Sequence, residues 1–216
     1  MAMTEGLRER KKRLTRRQLA DTAARMFVER GFDAVRVAEV AAACGVSEKT
    51  VFNYFPTKEA LVLDRLEATM DALRSGLKDQ DLALVPAATR ILAEELTAMM
   101  ASVTAHGEPA AAIAAYRRFG DLIRSTPSLR AYQSEMMDRF VTVAAEAIAG
   151  RTGRDPGDPE LLAAANALLG LWRVQFESLR RHLDPARDPM TVRDLVTADV
   201  LRAARLLDEG LASLRG

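Results

Sequence analysis

Apolar residues recur at steps of three and four along almost the whole chain, a spacing typical of amphipathic helices. No segment alternates between apolar and polar residues for long enough to predict a strand. Five prolines lie where a helix would begin: Pro86, Pro109, Pro127, Pro159 and Pro189. The pattern predicts helices near residues 57–77, 86–104, 109–124, 127–149, 159–183 and 189–214.

Three shorter helices are predicted before these. The capping box Thr15-Arg16-Arg17-Gln18 predicts that the first helix begins at Thr15, and Gly31 ends it. The predicted fold class is therefore all-α, with about nine helices. An N-terminal three-helix domain, residues 1–56, is joined to a larger helical domain, residues 57–216.

Residues 31–61 carry the most informative pattern in the chain. The segment Val37–Cys44 has one apolar face, and Gly45 follows where a left-handed residue best ends a helix. Ser47 can cap a second helix, which Pro56 stops. Two short helices joined by a glycine turn predict a helix-turn-helix, whose second helix is the candidate for the DNA major groove.

The two faces of that second helix differ in chemistry. Val51 and Phe55 are apolar and four residues apart, which predicts a core face. The opposite face carries Lys49, Thr50, Asn53 and Tyr54, after Ser47 at its start. Asparagine can pair with adenine, while threonine, tyrosine and lysine suit bases or phosphates. Phe52 lies between the faces and could contact a thymine methyl. Each could also be an ordinary exposed residue, but together they favour DNA binding.

Charge is spread unevenly, although the whole chain carries a formal net charge of +1. Residues 1–60 contain 12 Lys and Arg against 8 Asp and Glu, a net +4, and the remainder is −3. Residues 1–14 contain Arg8, Arg10, Lys11, Lys12 and Arg13. Such a run is either a solvated arm or an arm that lies along DNA, and both interpretations stay open.

These residues resemble the tetracycline-repressor (TetR) family of bacterial regulators. The resemblance covers roughly the first quarter of the chain, through Gly31-Phe32, Val40-Ala41, Gly45-Val46-Ser47, Thr50-Val51-Phe52, Tyr54-Phe55 and Lys58-Glu59-Ala60-Leu61. It implies that Thr50, Phe52, Asn53 and Tyr54 face the groove, and that Lys58 contacts a phosphate.

Three positions depart from the family pattern: Val35, Arg36 and Phe52, which is often tyrosine in the family, so that a hydroxyl contact to the DNA backbone is missing here. The family usually has threonine where this chain has Val35 and Arg36, and one of those threonines caps the first helix of the motif. Arg36 cannot cap a helix through its side chain, although it could contact a phosphate directly.

The last two predicted helices are apolar over a wide arc, which requires cover on two sides. Other helices of the same chain could supply that cover. The resemblance instead implies that this pair packs against a symmetry mate as a four-helix bundle, which suits a palindromic site. The predicted dimer interface comprises Leu161, Ala165, Leu168, Leu179, Val196, Ala203 and Leu207.

The resemblance also implies an effector pocket among the middle helices. Its candidate lining residues are Met99, Tyr116, Phe119, Tyr132, Met136, Phe140, Trp172 and Gln175. Methionine and aromatic residues at helical spacing are also common in ordinary cores. A small molecule of unknown identity is the expected ligand, and no cofactor is predicted.

Little in the sequence suggests catalysis or metal binding. His106 and His182 lack a metal-ligand spacing, and Cys44 lies on an apolar helix side. No phosphate loop or nucleophile motif is present, so we predict no enzyme, catalytic residue or metal site. A single cysteine fits a reducing compartment, and no apolar run predicts a membrane span. We therefore expect a cytoplasmic protein.

The sequence predicts a transcriptional regulator, most simply a repressor, that binds a palindromic double-stranded DNA operator as a homodimer. A small-molecule effector in the C-terminal domain would release it. An alternative is a ligand-independent DNA-binding or adaptor protein whose helical body binds another protein. A third, an α-helical enzyme, would need a polar cluster that the sequence lacks.

Overall fold

The computed structural model describes residues 6–79, 81–105 and 107–210, and within these ranges it contains ten α-helices and no strand. The helices are α1 Leu7–Arg30, α2 Val37–Ala43, α3 Glu48–Tyr54, α4 Lys58–Val62, α5 Arg65–Gly76, α6 Leu84–Thr104, α7 Pro109–Ser125, α8 Pro127–Thr152, α9 Pro159–His182 and α10 Pro189–Gly210. The all-α prediction is confirmed. The prolines that begin α7 to α10 lie where the sequence predicts them, because their fixed φ suits a first helical turn.

Helix α1 begins at Leu7, and the prediction of a start at Thr15 is therefore wrong. Residues 7–14 contain only leucine, arginine, lysine and glutamate, all good helix formers, so nothing interrupts the helix before the capping box. The basic segment is thus the first two turns of a helix over residues 7–14, while residues 1–5 lie outside the described part of the chain.

The helix predicted over residues 57–77 is two helices, so the structure has one helix more than predicted. Leu63 leaves the helical conformation, with φ −103° and ψ 27°, and α5 starts at Arg65. Residues 60–63 are all buried. Three of these residues lie within α4, and since consecutive residues of a helix are spread around its axis, α4 is covered on more than one side.

The first compact unit of the chain comprises residues 1–65 and 118–133. In its N-terminal part α1 packs on α2 and α4, and α2 packs on α3. The core here is made of fully buried side chains from all four helices: Leu19, Ala23, Phe27, Val40, Val51, Phe55 and Leu61. The predicted core face of the helix-turn-helix is confirmed.

The second compact unit comprises residues 66–117 and 134–216. Its helices α6, α9 and α10 pack on one another around a cluster of Leu96, Met100, Val103, Ile113, Leu183, Val192 and Val196. Helix α5 approaches α6 closely at Gly76, where a Cβ atom would lie 2.8 Å from Ile91 Cδ1. Within the described residues, no helix is both long enough and apolar enough to span a membrane.

Candidate nucleic-acid interface

The turn between α2 and α3 adopts the geometry that the sequence predicts. Gly45 has a φ of +68°, a left-handed conformation that glycine adopts without strain. The amide of Val46 donates a hydrogen bond to the carbonyl of Ala41 over 3.0 Å, which closes the end of α2. The chain then enters α3, which we call the recognition helix.

The recognition helix is capped at its start by Ser47, as predicted. Ser47 Oγ accepts a hydrogen bond from the Thr50 amide at 3.1 Å and lies 2.8 Å from Thr50 Oγ1. These two hydroxyls therefore hold each other, which fixes the first turn of the helix. Any DNA contact by either hydroxyl would be made from this paired arrangement.

The side chains of the recognition helix separate into a buried and an open face. Val51 and Phe55 are fully buried. Lys49 and Asn53 are exposed, Phe52 is 45% exposed, and Thr50 and Tyr54 are half-buried. The structure thus leaves this set accessible, and its contacts with DNA remain predictions.

Arg36 lies at the N-cap of α2 and its side chain is 85% exposed. Its amide donates a hydrogen bond to Glu39 Oε1 over 2.9 Å, so Glu39 supplies the capping interaction that Arg36 cannot. Glu39 also pairs with Arg30 at 2.8 Å. The hydrogen bond from the Arg36 amide, with help from Arg30, lowers the pKa of the Glu39 carboxyl. The arginine side chain remains open to solvent.

Lys58, the predicted phosphate contact, is half-buried at the start of α4. Its ammonium donates a hydrogen bond to the Phe32 carbonyl over 2.6 Å. It also lies 4.3 Å from the ring centroid of Phe32 and 5.5 Å from that of Phe27. The ammonium has three N–H donors, of which the Phe32 carbonyl accepts from one, so a phosphate contact would use the other two.

Arg16 is a residue whose importance the sequence analysis missed. Its Nε donates to Asp64 Oδ1 at 2.7 Å, its Nη1 donates to the Tyr54 carbonyl at 3.2 Å, and its guanidinium carbon lies 4.8 Å from the Phe55 ring centroid. The sequence offered only a capping-box position as a signal. The partners are 38 to 48 residues away, so no local pattern could indicate them.

The predicted effector-pocket residues are divided between the two compact units. Phe119 and Tyr132, both half-buried, belong to the first unit, and the other six belong to the second. In the second unit Met136, Phe140 and Gln175 are buried. Met99 and Tyr116 pack against the buried cluster of that unit, which includes Leu96 and Val196. Trp172 Nε1 donates to Glu95 Oε2 over 3.1 Å, and Thr69 donates to the other oxygen of that carboxylate over 2.6 Å.

The predicted dimer residues fall into two groups. Leu161, Ala165, Leu168 and Val196 are fully buried within the single chain, so a partner chain could not reach them. The chain's own helices cover these four, as in the alternative noted for the sequence. Leu179, Ala203 and Leu207 are half-buried. The large apolar side chains that α9 and α10 leave exposed are Leu162, Phe176, Met190, Leu195, Leu201 and Leu206.

Among the described residues, Ser178, His182 and Asp199 lie together but are not ordered as a catalytic triad. Asp199 Oδ2 lies 2.7 Å from Ser178 Oγ and 3.2 Å from His182 Nε2, so both groups bind the carboxylate and not each other. Cys44 is half-buried, and His106 lies outside the described residues. The described part of the chain holds no group of three or more His, Cys, Asp or Glu side chains that could bind a metal ion.

Comparison with known proteins agrees with this geometry. Residues 19–64 match the model of the bacterial regulatory proteins of the tetR family, and residues 90–212 match the model of the MftR C-terminal domain. A Mycobacterium tuberculosis protein described as the mycofactocin biosynthesis transcriptional regulator MftR is 26% identical over 169 residues, which cover 78% of this chain and 81% of that protein.

Two further proteins are similar over different lengths. The HTH-type transcriptional regulator TcmR of Streptomyces glaucescens is 36% identical over 73 residues, 34% of this chain and 32% of that protein. A crystal structure described as a TetR-family transcriptional regulator from Mesorhizobium loti has a TM-score of 0.50 at 19% identity, covering 94% of this chain and 98% of that one. Since the C-terminal model alone spans more than half of the chain and the N-terminal model spans the helix-turn-helix, this protein belongs to the TetR family of transcriptional regulators, with a DNA-binding helix-turn-helix at its N-terminus.

Proposed function

We propose that this protein is a transcriptional repressor that binds a palindromic operator as a homodimer and is released by a small-molecule effector. The observation that carries the proposal is the open face of the recognition helix. Its exposed and half-buried side chains are of types that pair with bases and phosphates, and Ser47 and Phe55 secure its two ends. The net charge of +4 on residues 1–60 supports binding to a polyanion.

Each side chain of that face has a proposed role. Asn53 can pair with adenine through two hydrogen bonds, and the exposed Phe52 ring can contact a thymine methyl. Thr50 presents a methyl and a hydroxyl to a neighbouring base. Lys49 and Tyr54 reach backbone phosphates, and the open guanidinium of Arg36 does the same from the start of α2.

The homodimer is proposed from the family and from the surface of α9 and α10. One copy of the helix-turn-helix reads one half-site, so a palindrome requires two copies related by a two-fold axis. The exposed apolar side chains of these two helices, with Leu206 at 78% exposure, supply a surface that a second copy could cover. We therefore assign the interface to Leu162, Phe176, Leu195, Leu201 and Leu206, flanked by the half-buried Leu179, Ala203 and Leu207.

Effector release is proposed from the family, in which ligand-responsive repression is typical. In the second unit both oxygens of the half-buried Glu95 carboxylate already accept hydrogen bonds, from Thr69 and Trp172, so an effector there would have to compete with these donors. A thermal-shift series with small molecules tests this part separately. A specific ligand raises the unfolding temperature by mass action, whereas a ligand-independent protein gives no stabilised condition.

Selection of bound fragments from random DNA tests the whole proposal. We expect an enriched inverted repeat whose half-site centres are separated by about 34 Å or a multiple of it, one turn of DNA. Sedimentation of the protein with the selected fragment should give at least two copies per site. Enrichment of no sequence, or of a single half-site bound by a monomer, would contradict the proposal.

A further inference from the structure

One guanidinium in the N-terminal unit contacts three separate parts of that unit. Arg16 lies in the middle of α1, with its side chain 37% exposed. It donates to the carbonyl of Tyr54, the last residue of the recognition helix, and it stacks on the fully buried Phe55 ring that follows. It also forms an ion pair with Asp64, whose side chain is 25% exposed.

The contact with Tyr54 matters because the recognition helix is short. It has seven residues, and helices of this length are not stable alone. The carbonyl of Tyr54 is one of the last four in the helix, which lack partners within the helix. A cation at this end is also favoured by the helix dipole. Arg16 therefore holds the C-terminal end of the helix, as Ser47 holds its N-terminal end.

The contact with Asp64 connects the same guanidinium to a different element. Asp64 lies in the two-residue break between α4 and α5, where the backbone leaves the helical conformation. The carboxylate accepts from Nε at 2.7 Å, while Nη1 of the same planar group faces Tyr54. The guanidinium is planar and rigid. If Asp64 moves and the guanidinium moves with it, the contact of Nη1 with the Tyr54 carbonyl at the end of the recognition helix changes as well.

We propose that Arg16 is a positioning residue that couples the break at Leu63–Asp64 to the orientation of the recognition helix. Movement of the break would thereby alter operator affinity without any change in the side chains that contact DNA. The inference rests on the proposed function, since it concerns how that DNA-binding face is held. It assigns Asp64, an acidic residue, a role in promoting the binding of an anionic ligand.

The expected direction of this effect distinguishes the inference from a simple electrostatic effect of Asp64 on DNA binding. Removing an acidic charge from a DNA-binding unit should tighten binding to any DNA. If Asp64 positions the recognition helix, however, Asp64→Asn should weaken operator binding. A second ion pair serves as a matched control. Arg17 and Asp21 lie 3.6 Å apart within α1, with side chains 78% and 72% exposed.

The experiment measures dissociation constants of the full chain for the selected operator and for a scrambled fragment of equal length. We expect Asp64→Asn and Arg16→Gln to weaken operator binding by about tenfold each, within the range of coupling seen for contacting residues. The double variant should be no weaker than Arg16→Gln alone. Binding of Asp64→Asn to the scrambled fragment should be unchanged or tighter, and Asp21→Asn should bind both fragments at least as tightly as wild type.

Several results would overturn the inference. If the Asp64→Asn variant binds the operator as tightly as the Asp21→Asn variant, Asp64 does not position the recognition helix and the inference is refuted. Equal losses on operator and scrambled DNA, in proportion to a loss of folded protein measured by circular dichroism, would reduce the pair to a structural role. If Arg16→Gln fails to fold, Arg16→Lys replaces it. We expect that variant to fold with reduced operator preference, since one ammonium cannot reproduce the stacked, forked contacts.

The outcome is also separable from that of the proposed function. A wild-type chain that selects no DNA sequence refutes the proposed function itself. A wild-type chain that binds its operator, with Asp64→Asn binding equally well, refutes only the coupling through Arg16.

Discussion

Replacement of Lys58 by methionine separates two roles of that lysine. Lys58→Met keeps an unbranched stem of similar length and removes the ammonium group. In the structure this group donates to the Phe32 carbonyl at 2.6 Å and faces the rings of Phe27 and Phe32. The proposed function adds a phosphate contact. The variant should therefore lose stability and DNA affinity together.

The size of the stability loss follows from the contacts. A hydrogen bond to a charged donor contributes about 1.5–3 kcal/mol, and a cation over an aromatic ring adds about 0.5–1 kcal/mol. The stem remains packed, so we expect the free energy of unfolding to fall by about 2–4 kcal/mol. For a chain of this size the unfolding midpoint should fall by roughly 5–10 °C.

Thermal unfolding and the salt dependence of operator binding measure the two losses. One lost phosphate contact lowers the slope of log affinity against log salt by about 0.9. Lys49→Met is the control, because Lys49 is exposed and should change the slope with little effect on the midpoint. An unfolding midpoint equal to that of Lys49→Met would refute the structural role, and an unchanged slope would refute the phosphate contact.

Three other predictions concern separate parts of the molecule. Asn53→Ala should relax base preference at one position of each half-site and cost about 1–3 kcal/mol, measured by competition with single-base operator variants. Leu206→Asp should leave the fold intact and weaken the dimer at least about tenfold in sedimentation, whereas Leu168→Asp, at a fully buried position, should unfold the chain. Asp199 has a pKa below its ordinary value of 3.8, chiefly because Ser178 donates to it. Its stabilising effect is therefore present above that pH and is lost on acidification. The difference in urea stability between wild type and Asp199→Asn should hold steady above about pH 5 and shrink as the pH falls below 3.8. A difference that stays constant below 3.8 as well would contradict the assignment.

Local signals in the sequence predicted most of the helices correctly. Pro109, Pro127, Pro159 and Pro189 begin helices because the proline ring fixes φ near its helical value, a property that needs no tertiary context. Ser47, Thr57 and Asp158 cap helices for a similarly local reason. One error, the start of α1, arose from a capping box at Thr15 that does not begin the helix, and another arose where a local signal was absent. No glycine or proline marks the break at Leu63 and Asp64, so no local pattern in the sequence indicates it.

Some features of the candidate site could be predicted from the sequence, and others could not. The open face of the recognition helix follows from a 3.6-residue period, so its accessibility could be read from the sequence. The contacts of Arg16 and Lys58 could not, because their partners are 26 to 48 residues away. A wide apolar stripe on a helix also does not reveal whether the same chain or a second copy covers it. Leu168, for example, is buried by its own chain.

The break between α4 and α5 bears on how such regulators can be recombined. Fusing the DNA-reading half of one regulator to the sensing half of another requires a junction that cuts few interactions. A junction directly after Pro56 would inherit Arg16 and Asp64 from different parents and lose the ion pair at 2.7 Å. A junction after Arg65 keeps both in one parent and falls where the first of the two segments of that unit ends, with the second segment, residues 118–133, taken from the other parent. Functional chimaeras of this protein should therefore be found with crossovers after residue 65 and not at the end of the helix-turn-helix.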